Sequence, residues 1–276
     1  MEQLPSLKET VEKYGLLAKK SLGQNFLLDM NIINKIIRLS LQEQHKTDFQ
    51  NEIVYEIGPG PGGLTRAILA ANPQKLTVIE MDERCIQIMH ELKDASGDRL
   101  VIVNGDAMQY NYEQKTMLPQ NIISNLPYNI SVALLILWLK NMNNFDSLTL
   151  MFQREVAERI TADINTKNYG RISVLAQLTC KIKSLFSIPP SCFVPAPKVW
   201  STVLLFQRAD NMLPKDILPK VEKITALAFG QRRKMIRQSL KSIPNITQIC
   251  DELNIKDTMR AENITPTQYL ALAYKI

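Results

Sequence analysis

Histidine and cysteine are scarce in this chain of 276 residues. Its two histidines are His45 and His90, and its four cysteines, Cys85, Cys180, Cys192 and Cys250, lie far apart. None of these spacings suits a metal centre, and so few histidines argue against His-based catalysis, so no metal site is expected and the thiols are read as buried packing groups. Long apolar runs are missing too. The longest, Val132 to Leu139, spans eight residues, against about 20 for a membrane helix. Met1 to Thr10 carries Glu2, Lys8 and Glu9 where a secretory signal would be apolar. The expectation is a cytosolic protein with no membrane contact. No internal repeat or low-complexity tract is evident.

What is present is an ordinary globular composition, with a length that allows one large core and a smaller second one. Net charge is +6, unevenly placed: Asn211 to Ile276 holds eleven Lys/Arg against six Asp/Glu, which leaves +1 for the first 210 residues. A basic C-terminal quarter on a near-neutral body suggests a polyanionic partner, nucleic acid before membrane. A merely solvated basic surface is the plainer alternative.

Apolar periodicity divides the chain. Residues 1–20 are polar and helix-compatible, ending in Lys19-Lys20. Asp29 is a plausible N-cap for a helix whose Ile32, Ile33, Ile36 and Ile37 share one face. From Ile53, strands (53–57, 75–79, 100–103, 121–124, 148–152) alternate with helical segments (64–71, 83–92), which predicts βαβ units and a parallel sheet. Helices over 154–162 and 172–180 follow, then strands over 183–188 and 199–206. The loop between these strands, Pro189 to Pro197, is too rich in proline for regular structure. After Ala209 to Pro214 only helices are expected. The reading is an α/β domain over 1–210 and a small all-helical domain over 211–276.

Glu56-Ile57-Gly58-Pro59-Gly60-Pro61-Gly62-Gly63 follows the first long strand and opens a helix. Alone, such a loop suits any nucleotide-like ligand. Glu80 ends the next strand 22 residues after Gly58, where a carboxylate can accept ribose hydroxyls. Nicotinamide dinucleotide and S-adenosylmethionine both fit so far. Pro59 and Pro61 remove two N–H groups from the loop, a poor choice for a pyrophosphate. Asp106 follows the third strand, where it can accept from an adenine amine. S-adenosylmethionine is the favoured cofactor, although strand-end acids also serve as solvated or capping groups. After the fourth strand, Asn125-Leu126-Pro127-Tyr128 offers an amide, a fixed backbone and an aromatic ring, groups able to grip adenine. A simple Pro/Asn turn is the alternative.

Gly23-Gln24-Asn25-Phe26-Leu27, Glu56-Ile57-Gly58-Pro59-Gly60, Asn125-Leu126-Pro127-Tyr128-Asn129-Ile130-Ser131, Tyr169-Gly170-Arg171, Phe193-Val194-Pro195-Ala196-Pro197 and Gln231-Arg232-Arg233-Lys234 occur in this order. The set resembles the ribosomal RNA adenine dimethyltransferases of the bacterial small-subunit type, from about residue 19 to 270. That resemblance implies a Rossmann-like, S-adenosylmethionine-dependent methyltransferase domain with a helical RNA-binding domain. It also implies dimethylation of the 6-amino groups of two adjacent adenosines in a 3′-terminal hairpin loop of small-subunit (16S) ribosomal RNA. It places Asn25, Leu27, Gly58, Gly60, Glu80, Asp106 and Asn125 at the cofactor, with Asn125 beside the transferred methyl. After Pro197-Lys198-Val199 the family commonly has an acid where this chain has Trp200.

The expected chemistry needs orientation more than acid–base catalysis, since the sulfonium is already activated. Asn125 and the Pro127 carbonyl would accept the amine hydrogens. Tyr128 would stack on one face of a flipped adenine, with Phe193 the candidate for the other; the alternative for Phe193 is a hydrophobic plug under its loop. A helix from Arg233 would present Arg233, Arg237 and Lys241, with Arg232 and Lys234, to RNA phosphates. The chain is expected to act as a monomer. Rival readings are a large-subunit adenine methylase of the macrolide-resistance type, a catalytically idle nucleic-acid-binding relative, and a nicotinamide-dependent dehydrogenase.

Overall fold

The apolar segments after residue 50 pair into one seven-stranded sheet. In the computed structural model, which describes residues 5–16, 25–112, 116–210, 213–256 and 258–276, β1 (Phe26–Leu27) precedes this sheet. The sheet holds β2 (Ile53–Ile57), β3 (Lys75–Glu80), β4 (Leu100–Asn104), β5 (Gln120–Ser124), β6 (Ser147–Gln153), β7 (Cys180–Ile188) and β9 (Ser201–Arg208). Its order is β4-β3-β2-β5-β6-β9-β7. Lys19, Lys20, Gly23 and Gln24 lie outside the described residues.

Strands β2 to β6 pair in parallel, with Tyr55 opposite Thr77 and Ile122, and Ile122 opposite Leu148. All five residues of β5 are buried, as expected for a central strand covered on both faces, which explains its unbroken apolar run. One expectation is corrected. The sheet is mixed, because β9 runs antiparallel to β6, with Leu148 opposite Phe206 and Gln153 opposite Ser201. No crossover helix separates β9 from β7 in sequence, so the chain is free to return antiparallel. The proline-rich loop is also more ordered than its composition predicts. Phe193–Val194 forms β8, paired antiparallel with β1 so that Leu27 meets Phe193 and Phe26 meets Val194. Pro195 has no N–H to donate, and the ribbon stops before it.

The described residues form two compact units. One comprises 1–137, 144–154 and 183–207, and the other 138–143, 155–182 and 208–276. The boundary expected at 210 lies beside the last crossing, and the second unit also takes in 155–182. In the first unit, α2 (Met30–Glu43) starts at Asp29, whose carboxylate accepts from the amides of Asn31 at 2.8 Å and Ile32 at 3.4 Å. Ile33, Ile36, Ile37 and Leu41 bury its apolar face in the same core as β1, β2 and Phe193. Helices α3 (Gly63–Ala70) and α4 (Glu83–Ser96) follow β2 and β3, and α5 (Ser131–Lys140) follows β5.

The second unit contains α6 (Arg154–Ile160), α7 (Arg171–Thr179), α8 (Ile217–Gly230), α9 (Ile236–Ser239), α10 (Ile246–Glu252) and α11 (Pro266–Lys275). Phe229 of α8 lies between the rings of Tyr169 and Tyr269, 5.9 Å from each centroid. Both tyrosine hydroxyls donate to buried carbonyls, of Ile264 at 2.9 Å and Ala261 at 2.8 Å. Buried rings with satisfied hydroxyls give this small unit a specific core.

Candidate active site

Parallel strands β2, β3 and β5 end on the same edge of the sheet, where open α/β folds bind ligands. A cleft opens there, with about 750 Å³ of empty space when its open mouth is included. Its lining includes Asn25 and Leu27, Glu56, Gly58 to Pro61, Glu80, and Asn125 to Tyr128. The structure therefore gathers most of the sequence-derived cofactor residues into one cleft. Asp106 is not among the described lining residues. Its carboxylate accepts from the Met108 amide at 2.8 Å and sits beyond the end of β4.

The glycine loop owes its course to left-handed backbone. Gly58 has φ +64° and Gly60 φ +54°, where a Cβ is disfavoured. A Cβ on Gly60 would also stand 2.9 Å from the Phe26 ring. The Gly58 amide donates to the Ile79 carbonyl at 2.9 Å, tying the loop to β3.

Two carboxyls enter the cleft. Glu80 is held by the amides of Met81 at 2.7 Å and Asp82 at 2.9 Å. Burial raises its pKa, while the Asp82, Met81 and Gly60 amides pull it back. Glu56 is fully buried and accepts from the Thr65 hydroxyl at 2.7 Å. Burial pushes its pKa up to about 8, against the opposing pull of Thr65. The sequence motif alone gives Glu56 no role. An acid closing an apolar strand just before the glycine loop is the signal that could have marked it.

The described lining contains these two acids and no Lys or Arg. That suits the sulfonium and ammonium of S-adenosylmethionine and is hostile to a pyrophosphate, for which Pro59 and Pro61 also lack donors. Glu80 offers oxygens to which ribose hydroxyls can donate, and Glu56 can pair with the ammonium once it gives up the proton that burial holds on it. When bound, S-adenosylmethionine supplies an electrophilic methyl group on a sulfonium.

The loop after β5 is braced from several sides. Ser124 donates to the Ile57 carbonyl at 2.6 Å. Asn125 donates its amide N–H to the Asn25 carbonyl at 3.2 Å, which assigns the other end of that amide, Oδ1, as an acceptor. The Pro127 carbonyl accepts from the Ile130 amide at 3.2 Å and retains a second lone pair. The Tyr128 hydroxyl and Ser201 Oγ share a 2.6 Å hydrogen bond. Ser201 lies 73 residues further along the chain, so no sequence pattern could have linked the two.

Phe193, expected on the open side of the adenine, is only 2% exposed and packs in the core around β1. Among the expected RNA residues, the helix from Arg233 is corrected. Gln231 to Met235 is not helical, and α9 holds only Ile236–Ser239. Met235 instead bridges to Arg260, which takes this segment out of helical geometry. Arg233 and Lys234 are exposed, Arg232 pairs with Glu262 at 2.6 Å, and Arg237 pairs with Asp251.

The fold and cleft define the class: a Rossmann-like methyltransferase dependent on S-adenosylmethionine. Among solved structures it is similar to a dimethyladenosine transferase from Plasmodium falciparum, with TM-score 0.73, 24% identity, and coverage of 89% of this chain and 94% of that one. It is also similar to the 23S rRNA methyltransferase ErmE, with TM-score 0.65, 23% identity, and coverage of 91% and 99%. Residues 15–276 match the family described as Ribosomal RNA adenine dimethylase, and the chain belongs to that family. It is 43% identical to Ribosomal RNA small subunit methyltransferase A of Paramagnetospirillum magneticum, over 99% of this chain and 95% of the relative. Against the protein of that name from Rhodospirillum rubrum, identity is 41% over 98% and 92%.

Proposed function

We propose that this protein transfers methyl groups to the 6-amino groups of two adjacent adenosines in a 3′-terminal hairpin loop of small-subunit ribosomal RNA. The observation that carries this reading is the loop after β5, where Asn125 is oriented by Asn25 beside a cleft lined by the carboxyl groups of Glu56 and Glu80. Near-full-length identity to relatives named for the small subunit supports that subunit over the large one.

In this reading Asn125 Oδ1 and the Pro127 carbonyl accept the two amine hydrogens. The nitrogen lone pair is thereby turned towards the cleft, in a geometry that approaches the reacting one before the barrier is climbed. Tyr128, its hydroxyl anchored on Ser201, offers its ring to one face of a flipped base. After one methylation a single amine hydrogen remains, so one acceptor must give way to a methyl group. The exposed Arg233 and Lys234 contact phosphates, which position the RNA and carry little sequence information. The enzyme is read as a monomer, working on ribosomal particles in the cytoplasm.

The test is labelled methyl transfer to unmethylated small-subunit particles, with large-subunit RNA in parallel, followed by digestion of the product. Dimethyladenosine at two neighbouring positions of the small-subunit RNA is expected. Label confined to large-subunit RNA would overturn the reading.

A further inference from the structure

Trp200 is 47% exposed. Exposed tryptophan is unusual enough to ask what it meets. Its carbonyl accepts from the Arg154 amide at 2.8 Å, which fixes the backbone at the start of β9. The next residue, Ser201, holds the Tyr128 hydroxyl at 2.6 Å. Trp200 is therefore one residue from the group that orients the ring assigned to the target base. Val194 and Val199 are also exposed, and so is Lys198. An exposed aromatic ring one residue from Ser201, with an exposed cation two residues before it in the chain, matches the chemistry of single-stranded nucleic acid. There, bases stack on aromatic side chains while phosphates meet Lys or Arg.

We propose that Trp200 is a stacking platform for an unpaired nucleobase next to the target adenosine, with Lys198 contacting the adjoining phosphate. The proposal rests on the RNA-methylating role argued above. Flipping one adenosine out of a loop deprives its neighbours of a stacking partner. An indole face replaces that partner whatever the base.

The chain has two tryptophans, and Trp138 is 0% exposed, so quenching by RNA reports on Trp200. The experiment measures KM for small-subunit particles and for S-adenosylmethionine in wild type, Trp200→Ala and Trp200→Phe, with emission followed during binding. Trp200→Ala should raise the RNA KM by about 5- to 100-fold and leave the S-adenosylmethionine KM unchanged. Trp200→Phe should recover most of the affinity, and bound RNA should quench wild-type emission but not that of Trp200→Phe. A wild-type RNA KM in Trp200→Ala, or emission unaltered by bound RNA, would overturn the stacking role. A wild type that fails to methylate the particles would instead overturn the functional reading beneath it.

Discussion

Glu56 and Asn125 show how single groups set the chemistry of the cleft. Glu56 ionises near 4.5 when solvated and near 8 in the folded chain. Between those values the folded protein keeps a proton that the unfolded chain has released, so stability falls as pH rises from about 4.5 to about 8 and is level beyond. Glu56→Gln removes that titration and can still accept from Thr65. Urea denaturation of the ligand-free protein from about pH 5 to about pH 9 should show a falling stability in wild type and a flatter one in the variant. The variant should also bind S-adenosylmethionine more weakly, because the ammonium loses its partner. If Asn125 accepts from the amine as proposed, Asn125→Ala removes that acceptor, so kcat should fall by roughly 10²–10³-fold while cofactor affinity, measured by calorimetry, changes little. A variant with near-normal turnover would sink that role.

At the scale of elements, the β1–β8 ribbon joins two motifs 166 residues apart, in the pairing of Leu27 with Phe193. With its ring only 2% exposed, Phe193→Ala should cost about 3–5 kcal/mol of stability, read from urea denaturation. If stability holds and methyl transfer alone collapses, the ring works on the substrate instead. The strands and α2 were legible because burial imposes unbroken apolar runs and a helical stripe, and Asp29 capped where expected. The β8 pairing was not legible, since four prolines around two apolar residues carry no strand period. The segment from Gln231 was misread because basic residues four apart look helical whether or not the backbone is, and a bridge from Met235 to Arg260 lies outside any local window.

For the whole molecule, the charge asymmetry predicts salt-sensitive RNA binding. Reversing both Arg233 and Lys234 to Glu should weaken RNA binding across sequences and reduce the slope of log K against log salt by about two, measured by filter binding. Arg232 and Arg237 are poorer choices, because they already pair with Glu262 and Asp251. Reversing either one would add repulsion inside the helical unit to any change in RNA contact. That unit is not continuous in sequence, since 138–143 and 155–182 join 208–276. The change of pattern near residue 210 marks only the last of its boundaries.

By itself the sequence determined the α/β class, the acid-and-glycine edge of the sheet and the family, because strand burial and close backbone approach restrict residue types locally. Only the tertiary structure decided that β9 reverses the sheet, that Phe193 is packed inside, and that Glu56 is buried deeply enough to have its pKa pushed up. It also brought Ser201 to Tyr128. These depend on which distant segments exclude water from one another, and local residue patterns do not carry that information.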